Sequence, residues 1–154
     1  MTHIDHVAHK LQIQIYLKRE IHGYIIYNIR PKNAWMSLIK EYFRLSKEAI
    51  SKYGPKTILL MQVGAFYECY GEIPNNRVTI DEFCRTCELA CANKAPGVIM
   101  AGFRDYSLEK YLNRLQEAGY TTVVHSQDAQ NKEERALSGV YSPCLLYTSD
   151  AADE

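Results

Sequence analysis

Cys84, Cys87 and Cys91 are the first residues whose type and spacing could do chemistry. Thiolates this close along a chain can share a zinc ion or an iron–sulfur cluster. The same positions fit another pattern. Ile80, Cys84, Cys87 and Cys91 step by four, three and four, the buried stripe of an amphipathic helix, and a reduced cysteine packs as a small hydrophobe. No second cysteine pair and no nearby histidine completes a tetrahedral site, which favours the helix stripe. His3, His6 and His9 could lie on one helical face as metal ligands, but without a cysteine or carboxylate cluster they read as solvated side chains. Phe66 and Glu68 are a different kind of pair. On an extended segment residues i and i+2 point the same way, so a ring and a carboxylate would project together from the domain edge. From spacing alone, Phe66 as core and Glu68 as a solvated edge residue is the simpler reading. The chain has no Gly-x-Ser-x-Gly elbow, no phosphate-binding Gly-rich loop with Lys-Ser or Lys-Thr, and no paired acidic motif for two metals. From these motifs the chain reads as non-catalytic.

The elements that must position these residues follow from periodicity. Leu11 to Leu17 alternates and Tyr24 to Ile29 is β-prone, which predicts a strand pair before Pro31. Trp35, Leu38, Tyr42, Leu45 and Ala49 then form one apolar helical stripe ending at Gly54-Pro55. Thr57 to Val63 is a short, mainly apolar run between Pro55 and Gly64, the mark of a central strand buried on both faces. It delivers the segment from Gly64 to Tyr70 to its end. After a turn at Pro74-Asn75-Asn76, Thr79 and Glu82 read as a capping box for a helix running to about Asn93. Val98 to Phe103 is a further strand with Gly102 at a close approach. Ser107 caps a helix with Leu108, Tyr111, Leu112 and Leu115 inward, Gly119 stops it, and Tyr120 to His125 returns as a strand. The expected order is helix, strand, helix, strand, helix, strand: an α/β or α+β domain with a mixed or parallel sheet flanked by helices.

With 154 residues, 47% hydrophobic and 23% charged, the chain suits one globular domain with a modest core. Eighteen basic against eighteen acidic residues give zero formal charge, which excludes a polycation that grips nucleic acid by bulk charge. The longest apolar runs fall far short of the roughly 20 residues needed to cross a bilayer, and the first residues lack a signal-peptide core. An intracellular location with no membrane partner is expected, and five unevenly spaced cysteines are expected to be reduced thiols.

One set of motifs goes further. Met61-Gln-Val-Gly-Ala-Phe-Tyr-Glu-Cys-Tyr-Gly71, then Ile99-Met-Ala-Gly-Phe103 and Glu109-Lys-Tyr-Leu112, resembles the N-terminal mismatch-recognition domain of MutS proteins, over about Met36 to Pro143. The lead-in from Lys56 to Val63 is most similar to the branch of large DNA viruses and some organelles. The resemblance implies a mixed-sheet domain that binds double-stranded DNA carrying mismatches or small loops. Phe66 would enter the minor groove as a wedge against a mispaired or unpaired base, and Glu68 would hydrogen-bond that base. Gly64 and Tyr67 of the same motif would accompany them, and Arg104 could reach a phosphate. A wedge is chemically reasonable because unstacking costs less at a weakened pair, so deformability does the reading. Two departures stand out. Ala65 occupies the place of a frequent Asp, and Arg104-Asp105 replaces a more usual proline-containing loop. The resemblance also implies that ATP and Mg2+ binding, ATP hydrolysis and dimerisation belong to later domains of a longer parent, so no cofactor is expected in this stretch.

Residues 36–143 contain 13 basic and 13 acidic residues, which offers no electrostatic grip. Three parts are therefore expected: an extension over 1–35, native or from upstream translation; the recognition domain over 36–143; and a tail over 144–154 that resembles translated sequencing adapter. That tail holds three acidic residues, and without it the formal charge is +3. Two other classes stay open: a structural or protein-interaction domain with Phe66 as core, and a cysteine-based metal-binding protein.

Overall fold

The computed structural model describes residues 32–75 and 77–143. The strand pair expected over 11–17 and 24–29, the histidine face at His3, His6 and His9, and the tail 144–154 lie outside the described residues. The chain divides into two units, Met1–Met36 and Ser37–Glu154, and the sheet belongs to the second.

Helix α1 (Lys32–Tyr53) carries the predicted stripe. Leu38, Tyr42 and Ala49 are buried and Leu45 half-buried, with Ile39 adding to the same face. It ends where predicted, at Gly54, whose φ of 103° suits glycine and whose N–H donates to the Ile50 carbonyl at 2.8 Å. Strand β1 (Thr57–Val63) follows, and a two-residue turn leads into β2 (Phe66–Glu72). Then come α2 (Arg77–Cys87), β3 (Ala92–Ala95), β4 (Val98–Arg104), a 3-10 turn (Asp105–Ser107), α3 (Leu108–Glu117), β5 (Thr121–Gln127) and β6 (Arg135–Tyr141).

The six strands form one mixed sheet in the order β3-β4-β2-β1-β5-β6. Strand β1 is interior, antiparallel to β2 and parallel to β5, and the remaining pairs are antiparallel. The expected mixed sheet flanked by helices is thus present, with β2, β3 and β6 added to the expected order. The β2 sequence FYECYGE mixes aromatic, charged and glycine residues, while β3 is a four-residue edge, so neither shows the apolar alternation of a strand.

Pairing divides the side chains between two faces. Ile58, Leu60, Tyr67, Cys69, Ile99, Ala101, Phe103 and Val124 pack with Ile80, Phe83, Cys84 and Cys87 of α2 and Leu112 and Leu115 of α3. The opposite face carries Leu59, Met61, Val63, Phe66, Glu68 and Tyr70, and α1 lies against it through Tyr42, whose ring is 4.7 Å from that of Tyr70.

Helix α2 departs from expectation at both ends. It begins at Arg77, so Thr79 is inside it and does not cap it; Glu82 accepts a hydrogen bond from the Tyr120 hydroxyl at 2.7 Å. It stops at Cys87 and not near Asn93. Glu88 takes φ of 56°, and the N–H groups of Glu88 and Leu89 donate to the carbonyls of Arg85 and Cys84 at 3.4 and 2.9 Å. This closure usually employs glycine, and a glutamate in its place carries no stop signal. Ser107 does stand at the N-cap of α3, but makes no side-chain capping bond.

Candidate nucleic-acid interface

The turn that presents the motif is fixed on both sides. Gly64 takes φ of 62°, as the first central position of a two-residue hairpin demands. Its N–H donates to Gln127 Oε1 at 3.0 Å, and its carbonyl accepts from Gln62 Nε2 at 3.2 Å. The Gln127 N–H in turn donates to Gln62 Oε1 at 2.9 Å, tying the turn to β5. On the other side, the Asp105 N–H donates to the Ala65 carbonyl at 2.8 Å, tying it to the end of β4. Three strand ends therefore hold one hairpin tip.

Phe66 and Glu68 share a face of β2, as their spacing requires, but they do not project from an edge. Strand β2 is flanked by β1 and β4, and only 6% of Phe66 and 2% of Glu68 is exposed. Arg104 is the register partner of Phe66, and its guanidinium carbon lies 5.3 Å from the centre of the Phe66 ring. The same carbon is 5.8 Å from the centre of the Tyr106 ring, and Tyr106 is 79% exposed. A cation thus bridges a sheltered ring and a solvent-facing one.

Glu68 is paired as well as buried. Its Oε2 is 3.0 Å from Lys94 Nζ and accepts a hydrogen bond from the Tyr70 hydroxyl. Lys94 Nζ also stands 5.4 Å from the centre of the Tyr70 ring. Tyr67 lies on the opposite face, in the helix-covered core, with its hydroxyl 2.9 Å from Ser126 Oγ. Of the residues expected at the site, Phe66, Glu68 and Arg104 share one face and Gly64 forms the adjoining tip, whereas Tyr67 points away. Tyr70, Lys94 and Tyr106 join the site without having been anticipated. Tyr70 was within reach of the same i, i+2 argument. Lys94 was not, because it is the residue left over where the β3–β4 register shifts between Asn93 and Ala95.

The cysteines divide by burial. Cys84 and Cys87 are buried, and Cys91 is exposed beyond the end of α2, so the predicted stripe breaks at its last member. Burial pushes the Cys87 thiol up to about 12, against the pull of Arg114, and the Cys69 thiol likewise to about 12. Among the described residues no group of three or more His, Cys, Asp or Glu side chains is placed to hold a metal ion. No described helix is long and apolar enough to cross a membrane.

Comparison with known proteins places this arrangement. Similar sequences include a mitochondrial DNA mismatch repair mutS homolog of Sarcophyton glaucum, 30% identical over 131 residues, covering 67% of this chain and 13% of the relative. A DNA mismatch repair mutS homolog of Acanthamoeba polyphaga mimivirus is 31% identical over 123 residues, covering 73% and 11%. A DNA mismatch repair protein MutS of Parabacteroides distasonis is 35% identical over 91 residues, covering 58% and 10%. The chain spans about a tenth of the length of these relatives. A family model described as MutS domain I matches residues 38–150, the stretch that contains the whole sheet, the locked hairpin tip and the Phe66–Glu68 face. The chain belongs to the MutS domain I family.

Proposed function

We propose that this chain is the mismatch-reading module of a DNA mismatch repair protein, with Phe66 as a minor-groove wedge and Glu68 as its base-contacting partner. The observation that carries this reading is the hairpin at Gly64-Ala65, held by Gln62, Gln127 and Asp105, which sets an aromatic ring and a carboxylate on one face beside a cationic side chain. Kinking a duplex at one step costs a few kcal/mol, less where pairing is already broken. Stacking one base on an aromatic ring returns roughly 1–3 kcal/mol and depends little on the base. The balance favours weakened pairs.

Phe66 must come out from beneath Arg104 to stack. A phosphate offers the guanidinium charge-assisted hydrogen bonds stronger than its contact with the ring. Arg104 therefore exchanges the ring for the backbone as the ring enters the duplex. The balanced charge of residues 36–143 supplies little further grip, which fits a reader that is positioned by other parts of a longer protein. In this reading ATP, Mg2+ and dimerisation belong to those other parts, since this chain has no Gly-rich Lys-Ser or Lys-Thr loop to hold a nucleotide. The module itself catalyses nothing and acts inside the cell, where the DNA is.

The burial of Phe66 and Glu68 favours a second reading, a structural domain in which both are packing residues. Binding of the full chain to mismatched and matched duplexes at one fixed low salt concentration separates the two. A mismatch preference lost in both Phe66→Ala and Phe66→Leu, with the fold retained in the leucine variant, supports the wedge. Equal affinity of the unaltered chain for both duplexes overturns it.

A further inference from the structure

We propose that Cys84 and Cys91 form a reversible disulfide site, a thiol pair at the end of α2 that exchanges with small disulfides. The inference is independent of the wedge reading. Along an unbroken helix two residues so spaced sit about 10 Å apart, beyond the ~7 Å that a disulfide spans between Cα atoms. The fold removes that separation. Helix α2 ends at Cys87, Glu88 turns the backbone with φ of 56°, and the Leu89 N–H donates to the Cys84 carbonyl at 2.9 Å. Arg114 of α3 secures the same end, donating from Nη1 to the Cys87 carbonyl at 3.2 Å. The chain folds back, and the Cys91 thiol shares a hydrogen bond with that of Cys84.

The two thiols differ in the way an exchange pair needs. Cys91 is exposed immediately before β3, a four-residue edge strand, whereas Cys84 is buried. Burial and the hydrogen bond to Cys91 both hold the proton on Cys84. Cys91 is therefore the sulfur that meets the oxidant. As a thiolate it attacks a low-molecular-weight disulfide, forming a mixed disulfide and releasing one small thiolate. Cys84 then gives up its proton and attacks the Cys91 sulfur, which breaks the mixed disulfide and releases the second small thiolate. Two protein thiols are oxidised, one small disulfide is reduced, and the two protons end on the two small thiols. Cys87 is only 1% exposed and does not reach the oxidant. Once formed, the bond ties the end of α2 to β3, the strand whose Lys94 stands 3.0 Å from Glu68. Disulfides of this kind in reducing compartments are transient and sense the redox state.

The full chain treated with glutathione disulfide at pH 8, then blocked with iodoacetamide in denaturant and digested with trypsin, tests this. Cleavage after Arg85 separates the two cysteines, so the bond appears as peptide 78–85 linked to peptide 86–94, and fragmentation assigns it to Cys91 or Cys87. The Cys84–Cys91 link outweighs the Cys91 mixed disulfide by about tenfold or more, because the second thiol is already in contact. Dithiothreitol reverses it. Cys87→Ala keeps the link, Cys91→Ala abolishes it, and Cys84→Ala leaves glutathione on Cys91 with no thiol to displace it. A glutathione adduct that persists on Cys91 in the unaltered chain overturns the inference. So does a link from Cys91 to Cys87, to Cys144 or to a second chain, a Cys84–Cys91 link that forms only in denaturant, or the absence of any oxidation. The unaltered chain alone gives these readings, so they stand even where an alanine variant fails to fold.

Discussion

Replacing Tyr42 with phenylalanine tests how the face that carries the motif is held together. The pairs Met61↔Glu68, Gln62↔Tyr67 and Val63↔Phe66 set the register of β1 and β2, and two steps further it would put Leu59 opposite Tyr70. Pairing stops short of that point. The Tyr42 hydroxyl occupies the gap, donating to the Leu59 carbonyl at 3.0 Å and lying 3.3 Å from Cys69 Sγ, with the Tyr70 backbone N–H as a donor to its oxygen. Burial and the neighbouring Cys69 hold this phenol well above its ordinary pKa, so it stays neutral and able to donate. Tyr42→Phe keeps the ring contacts with Tyr70 at 4.7 Å and Phe43 at 5.4 Å, so it opens little cavity. It leaves the buried Leu59 carbonyl without that donor, a cost of about 1–3 kcal/mol. At roughly 4 °C per kcal/mol for a domain of this size, Tm falls by about 4–12 °C. Urea denaturation with an unchanged slope measures the same loss, and hydrogen exchange at the Tyr70 amide quickens with it. A destabilisation below about 0.5 kcal/mol would mean that the strands close without the hydroxyl, and would refute the bridging role.

The same geometry yields further expectations. If Arg104 passes from the Phe66 ring to a phosphate, Arg104→Ala lowers the slope of log affinity against log salt by about 0.9, and an unchanged slope removes that contact. At pH 8 a thiol-specific reagent labels Cys91 while Cys69 and Cys87 stay protected until denaturant is added, because burial keeps those two thiols protonated; peptide mapping reads the order. His125 has its pKa lowered, chiefly by burial, with Glu41 opposing and Arg44 reinforcing that shift. The unfolded chain therefore binds more protons than the folded one, and stability falls as pH drops through the unfolded value of about 6.5. His125→Gln flattens that part of the stability profile, measured by urea denaturation between pH 7.5 and 5.5, whereas an unaltered profile contradicts the assignment.

Much of the scaffold was legible because it is written in local patterns. The stripe from Leu38 to Ala49, the apolar run from Thr57 to Val63 and the Gly54 and Gly119 stops each depend on residues a few positions apart. The motif from Met61 to Gly71 identified the family for the same reason. Patterns failed where the signal was non-local or atypical. Glu88 closes α2 in a conformation usually left to glycine, and Cys91 consequently falls outside the helix that its spacing implied.

The sequence by itself determined which residues share a face: Phe66, Glu68 and Tyr70 must lie together on an extended segment, and Tyr67 must oppose them, because side chains alternate along any strand. Only the tertiary structure decided what surrounds that face. The position of β4 beside β2, and of β3 on the far side of β4, sets Arg104 over the Phe66 ring and Lys94 against Glu68, across 38 and 26 residues of chain. The α1 helix adds the Tyr42 hydroxyl between β1 and β2. These contacts depend on strand order, on one shift of register and on the packing of a helix against the sheet. Each is settled by the whole chain burying its apolar surface at once, and no local run of residues encodes it.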